Sequence, residues 1–188
     1  MERADLHELE AIKRLKYRYL RCLDQKRWDE LADCFTADAR SSYGGGRYAF
    51  EGRDAIMEFL RKAMGAPSFL SSHRAHHPEI DFTSATSATG TWALEDTVIE
   101  TRAGITIRGA AFYTDEYLKT DGRWKIQRTS YLRSYEEIQM RSQWTPPRGS
   151  GRESRRGSMA GLVLGTGARP SGGRAILAQG RPAVLRGR

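Results

Sequence analysis

The stretch ATGTWALEDTVIE, residues 88–100, reads as a strand in which one position breaks the rule set by its neighbours. Side chains alternate along a strand, so Trp92, Leu94, Asp96 and Val98 share one face. That row is apolar apart from Asp96. A carboxylate held among apolar groups needs a partner, and its proton affinity becomes open to tuning. A stabilising ion pair and a working acid both produce such a placement, so either reading stands at this point. Working outward, residues 71–82, 105–118 and 123–133 repeat the two-residue period, and Thr120-Asp121-Gly122 joins the last two as a hairpin. Four long strands in succession form an antiparallel run.

Upstream of Pro67 the period is helical. Leu9, Ile12, Leu15, Tyr19, Cys22 and Leu23 recur at three- and four-residue spacing, which predicts one long helix to about Leu23. Asp5 with Glu8 makes a capping box in front of it, and Asp24-Gln25-Lys26 ends it. Trp28, Leu31, Ala32 and Phe35 give a short second helix. A glycine turn at Gly44-Gly45-Gly46 follows, with residues 41–43 and 47–50 as its arms. A third helix starts near Arg53 and carries Ile56, Phe59 and Leu60. Helices followed by antiparallel strands define an α+β domain. The fitting geometry is a strongly curved sheet wrapped around the long N-terminal helix, with a pocket between them.

The 188 residues carry 31 basic and 23 acidic side chains, a formal charge of +8. The excess is confined to one end. Residues 141–188 hold ten arginines and a single acid, Glu153, whereas residues 1–140 are nearly neutral. The chain therefore divides into a folded domain, 1–140, and a Gly/Arg-rich tail, 141–188, too poor in apolar residues to offset its ordering entropy. The tail lacks interleaved aromatics for stacking on bases, so no nucleic-acid partner is expected. GTGARPSGG has Pro170 where a dinucleotide loop needs glycine. No apolar run approaches the length of about 18 residues that spans a bilayer. The charged start MERADLHELE and the isolated pair Cys22 and Cys34 fit a cytoplasmic protein with reduced thiols.

Tyr19 sits in the buried stripe of the first helix, where its hydroxyl needs a partner; a plain core role is the alternative. Asp24 is a carboxylate at that helix's end or simply a polar terminus. Histidine is the side chain suited to taking and returning a proton near neutral pH, and His73, His76 and His77 cluster in SSHRAHHPEI. His73 and His77 share a strand face, but there is no HxH, no helical HxxxH and no nearby cysteine, so no metal site is expected. Arg133, ending the last strand, is a clamp for an acidic group or a solvated strand end. No nucleophile elbow or phosphate loop is present.

Five segments, EAIKRLKYRYLRCLDQKRWDEL, SSHRAHHPEI, ATGTWALEDTVIE, GAAFYTDEYLKTDGRWKI and YLRSYEE, resemble in order and near spacing the SnoaL-like branch of the nuclear transport factor 2-like superfamily. Within it they resemble the bacterial bile-acid 7α-dehydratases. The similarity spans roughly residues 8–138. It implies a curved sheet closed by helices over a deep apolar pocket, assembled as a homodimer or homotrimer. It implies catalytic roles for Tyr19, Asp24, His73 and Asp96, and substrate contacts from Tyr43 and Arg133; Trp92 and His77 are expected beside them as further substrate-binding residues. His77 stands where the family has a smaller residue, which narrows or polarises the pocket mouth. The Asp24–His73 pairing also resembles scytalone dehydratase and hexachlorocyclohexane dehydrochlorinase, which eliminate water or HCl without a cofactor.

Elimination of water β or vinylogous to a ketone needs a base for a carbon-bound proton, a donor to the developing enolate and help for the departing hydroxyl. The expected arrangement has His73 as base and proton shuttle oriented by Asp24, Tyr19 donating to the enolate oxygen, and Asp96 with Tyr43 handling the hydroxyl. The expected partner is a small, apolar, hydroxylated steroid- or polyketide-like molecule, with no cofactor and no membrane. A ketosteroid-type isomerase, a polyketide cyclase and a non-catalytic binding module are the alternatives on such a scaffold.

Overall fold

The computed structural model describes residues 3–141, with side chains from residue 5 onward; the tail expected beyond it lies outside the described residues. The long helix α1 (Arg3–Asp24) buries Ile12, Leu15, Tyr19, Leu20 and Leu23. Each such side chain contributes about 1.5–3 kcal/mol when fully covered. The helix starts at Arg3, so Asp5 lies within the first turn instead of capping it. Glu8 is drawn away from the helix start, its carboxylate accepting from Lys119 at 2.6 Å and from the Trp124 indole at 2.6 Å. At the other end Lys26 adopts the left-handed conformation (φ 56°). The Lys26 amide donates to the Leu23 carbonyl and the Arg27 amide to that of Cys22, which is a Schellman closure.

Helix α2 (Trp28–Ala32) is shorter than expected, because Phe35 opens the strand β1 (Phe35–Tyr43) and Cys34 falls in the turn between them. Strand β2 (Tyr48–Glu51) returns antiparallel to β1 across the glycine turn. Helix α3 (Arg53–Met64) buries Ile56, Met57 and Leu60. Then come β3 (Phe69–Phe82), β4 (Ser87–Glu100), β5 (Ile105–Thr120) and β6 (Arg123–Met140). The last strand runs seven residues beyond its expected end at Arg133, held by pairing with β5 out to Met140.

The six strands form one curved, unclosed sheet in the order β2-β1-β6-β5-β4-β3. It is mixed rather than wholly antiparallel, since β1 lies parallel to β6. The inward row of β4 is Ala88, Gly90, Trp92, Leu94, Asp96 and Val98; that of β5 is Ile107, Gly109, Ala111, Tyr113, Asp115 and Tyr117. Ala88, Trp92, Leu94, Ala111, Tyr113 and Tyr117 of these rows join the stripe of α1 in one core, while Val98 and Ile107 form a smaller cluster with Phe69. Edge strand β3 carries a bulge between His76 and Glu79, where Pro78 has no amide to donate and His77 takes a left-handed φ of 46°.

Candidate active site

The Schellman closure points the last side chain of α1, Asp24, at the start of β3. Oδ1 of Asp24 accepts from the Ser71 hydroxyl at 2.8 Å and lies 2.6 Å from Nδ1 of His73; Oδ2 accepts the His73 backbone amide at 2.9 Å. Burial works against the charge on this carboxylate, but the His73 and Ser71 bonds prevail and hold its pKa below the ordinary value. The Lys26 ammonium fastens the same junction by donating to the carbonyls of Ala66 and Phe69.

With Nδ1 committed to Asp24, Nε2 of His73 is the free ring nitrogen, and it lies 4.0 Å from Oδ2 of Asp96. Register explains the meeting: His73 on β3 is paired with Asp96 on β4. Asp96 is 3 % exposed. Both its oxygens accept from the Arg133 guanidinium, at 2.5 and 2.8 Å. Burial opposes the Arg133 charge, yet Asp96 more than offsets it and raises its pKa above the usual arginine range. Arg133 reaches across β5 because Gly109, the residue paired with Asp96, has no side chain. A Cβ there would stand 2.7 Å from an Arg133 guanidinium nitrogen and 2.7 Å from the Tyr135 carbonyl oxygen.

Arg133 lies 5.5 Å from the ring of Tyr131, which in turn neighbours Tyr43 and Tyr113 at 5.5 Å each. Tyr43 stacks on Phe59, and Tyr19 meets Tyr113 edge-on at 6.4 Å. An aromatic wall thus adjoins the Asp24–His73–Asp96–Arg133 chain. Burial pushes the Tyr43 phenol up to about 12, and pushes Tyr19 well above its ordinary value, with Tyr113 and Tyr43 adding to the effect. The hydroxyls of Thr36, Ser41 and Tyr43 are buried without a well-formed hydrogen bond. Buried hydroxyls in that condition are rare, and those of Ser41 and Tyr43, on the inward face of β1, suit a polar group of a bound molecule.

Two sequence-named residues stand apart from this set. His77 is exposed at the β3 bulge, its ring 5.8 Å from that of His76, and it shares no hydrogen bond with the cluster. Trp92 is fully buried, and its indole donates to the Tyr117 hydroxyl at 2.8 Å. That hydroxyl donates to Asp115, which also accepts from Lys16 and Thr129, each at 2.7 Å. Lys16 and Asp115 have side chains with 0 % exposure, and the Lys16 ammonium sits 3.4 Å from the centre of the Tyr113 ring. Burial pulls the Lys16 pKa down although Asp115 opposes the shift. Sequence reasoning missed this second polar centre. Its signals are the same as for Asp96: Lys16 interrupts the apolar stripe Ile12–Leu15–Tyr19, and Asp115 interrupts the inward row of β5.

A depression of about 460 Å³ opens beside the cluster, lined by Tyr17, Leu20 and Asp24 of α1, by Gln25 just after it, and by His73 and His76 of β3. It gives the His73–Asp24 pair a path to solvent. Among the described residues no group of three or more His, Cys, Asp or Glu side chains is arranged to hold a metal ion.

A helix laid over a curved, unclosed sheet, with polar side chains converging beneath it, is the nuclear transport factor 2-like fold. The family profile of the SnoaL-like domain matches residues 4–130, and the chain belongs to that family. A scytalone-dehydratase-like protein from Novosphingobium aromaticivorans is similar at 27% identity and a TM-score of 0.69, over 80% of this chain and 100% of that one. A hexachlorocyclohexane dehydrochlorinase from Novosphingobium barchaimii shares the fold at 22% identity and a TM-score of 0.67, over 76% of this chain and 97% of that one.

Proposed function

We propose that the protein is a cofactor-independent lyase that removes water from a hydroxylated ketone with a polycyclic apolar skeleton, as the bile-acid 7α-dehydratases do. The observation that carries this reading is the imidazole of His73, fixed through Nδ1 by Asp24 with its other nitrogen facing Asp96. The similarity to a scytalone-dehydratase-like protein supports the reaction class.

In the proposed reaction Nε2 of His73 takes a proton from the carbon beside, or vinylogous to, the ketone. The electron pair of that C–H bond moves into the carbon skeleton as the enolate forms. The Tyr19 phenol donates to the enolate oxygen. Collapse of the enolate breaks the C–O bond, and the His73 imidazolium returns its proton to the departing hydroxyl, which leaves as water. The imidazolium formed between these steps is flanked by two carboxylates, Asp24 and Asp96. Asp96 has both oxygens engaged by Arg133, so it positions the hydroxyl together with Tyr43 and is not the proton donor. The aromatic surroundings exclude water and strengthen each contact. We further propose that the enzyme works in the cytoplasm as a homodimer or homotrimer; among the described residues no helix is long and apolar enough to cross a membrane.

Mass analysis of products from a panel of hydroxylated enone steroids and polycyclic ketones tests this reading. Loss of one water molecule supports it. Conversion at unchanged mass indicates an isomerase or cyclase on the same base, and binding without turnover indicates a carrier.

A further inference from the structure

We propose that a cleft along the N-terminal half of α1 binds a small molecule bearing several anionic oxygens, of the phosphate or polycarboxylate type. The cleft has a volume of about 460 Å³ and shares no lining residue with the depression beside His73. One wall is a single face of α1, since His7, Ala11, Arg14 and Arg18 recur at helical spacing. The other wall is the β5–β6 hairpin with Lys119, Gly122 and Arg123, and Trp124 lies between them.

Charge on this surface is unbalanced. Asp33 is the one carboxylate within reach of three cations: Lys125 at 2.6 Å, Arg123 at 3.7 Å and Arg18 at 3.9 Å. The Lys125 hydrogen bond, with Arg123 and Arg18 behind it, holds the Asp33 carboxyl below its ordinary pKa. Glu8 is spent on Lys119 and Trp124. Arg14 is exposed and has no ion-pair partner among the described residues. The Nε of Arg18 is buried without a hydrogen-bond acceptor. The cleft lining thus carries Arg14, Arg18, Lys119 and Arg123 against the single carboxylate of Glu8. An anion bridging arginines gains charge-assisted, often bidentate hydrogen bonds. The volume exceeds what bare phosphate fills and lies in the range of small-molecule sites.

The test is calorimetric titration of the full chain at low salt with pyrophosphate and, separately, with citrate. Both are repeated on Arg14→Glu and on Arg40→Glu, a charge change on β1 outside the cleft. The expected result is one site per chain that Arg14→Glu weakens by about tenfold or more and Arg40→Glu leaves unchanged. Preference for pyrophosphate or for citrate then decides between phosphate and carboxylate ligands. Circular dichroism melting checks that Arg14→Glu remains folded. Binding that survives Arg14→Glu belongs to the arginines after residue 140 and overturns the proposal. Equal weakening by both variants, or no binding of either anion, overturns it as well.

Discussion

Nδ1 of His73 lies 2.6 Å from Oδ1 of Asp24, and the same carboxylate accepts the His73 backbone amide at 2.9 Å. One acid at a helix end therefore fixes both the ring and the strand that carries it. Asp24 has a lowered pKa in the folded chain, so its unfolded form binds the proton more readily. The stability it contributes is complete above its unfolded value near 4 and is lost as pH falls through the lower folded value. Urea unfolding followed from neutral pH to strong acid is expected to show a shallower loss for Asp24→Asn than for the wild type. Equal slopes would mean that this carboxylate is not preferentially ionised in the fold.

Gly109→Ala tests the clamp on Asp96. The added Cβ meets the Tyr135 carbonyl oxygen, a backbone atom that cannot rotate away, as well as the Arg133 guanidinium. Arg133 has to leave, and Asp96 remains buried without its cation. The expected cost is about 3–5 kcal/mol of stability in denaturant titrations, typical of a buried pair that loses one partner. Turnover is expected to fall as far as in Arg133→Ala.

The Lys16–Asp115 pair is expected to behave as one unit. Lys16→Met leaves a fully buried carboxylate unpaired and costs about 3–5 kcal/mol. Adding Asp115→Asn to Lys16→Met removes that charge while keeping a partner for Tyr117 and Thr129. The double variant is therefore expected to be more stable than Lys16→Met alone. A double-mutant cycle in guanidinium measures the difference, and additive losses would contradict coupling.

Two tyrosine hydroxyls should separate folding from function. That of Tyr117 bridges Trp92 and Asp115, so Tyr117→Phe is expected to cost about 1–3 kcal/mol by leaving buried groups unmet. That of Tyr43 has no well-formed partner, so Tyr43→Phe is expected to cost less stability than Tyr117→Phe. Its effect is expected in turnover or substrate affinity. Thermal melts alongside kinetics give both readings.

The strands were legible because alternation survives along β4 and β5, where one face is buried, and Asp96 stood out against that pattern. Helix α1 was legible for the same reason, and the interruption at Lys16 was there to be read. What local pattern does not carry is pairing across the sheet. Nothing near Arg133 names Asp96 as its partner, because the contact depends on register and on the missing side chain at Gly109. The parallel pairing of β1 with β6 is likewise set by tertiary packing. At His77 the two-residue period fails, since the bulge beside Pro78 turns that ring outward and off the face of His73. Alternation places Trp92 inward, where it is fully buried, but its indole is claimed by Tyr117, a partner distant in sequence.

Hydrogen–deuterium exchange into an enone steroid lacking the leaving hydroxyl, followed by proton NMR in heavy water, probes the base without requiring elimination. The wild-type protein is expected to exchange the vinylogous carbon-bound proton at least about 100-fold faster than His73→Ala. Equal exchange by the two proteins would contradict proton abstraction by His73.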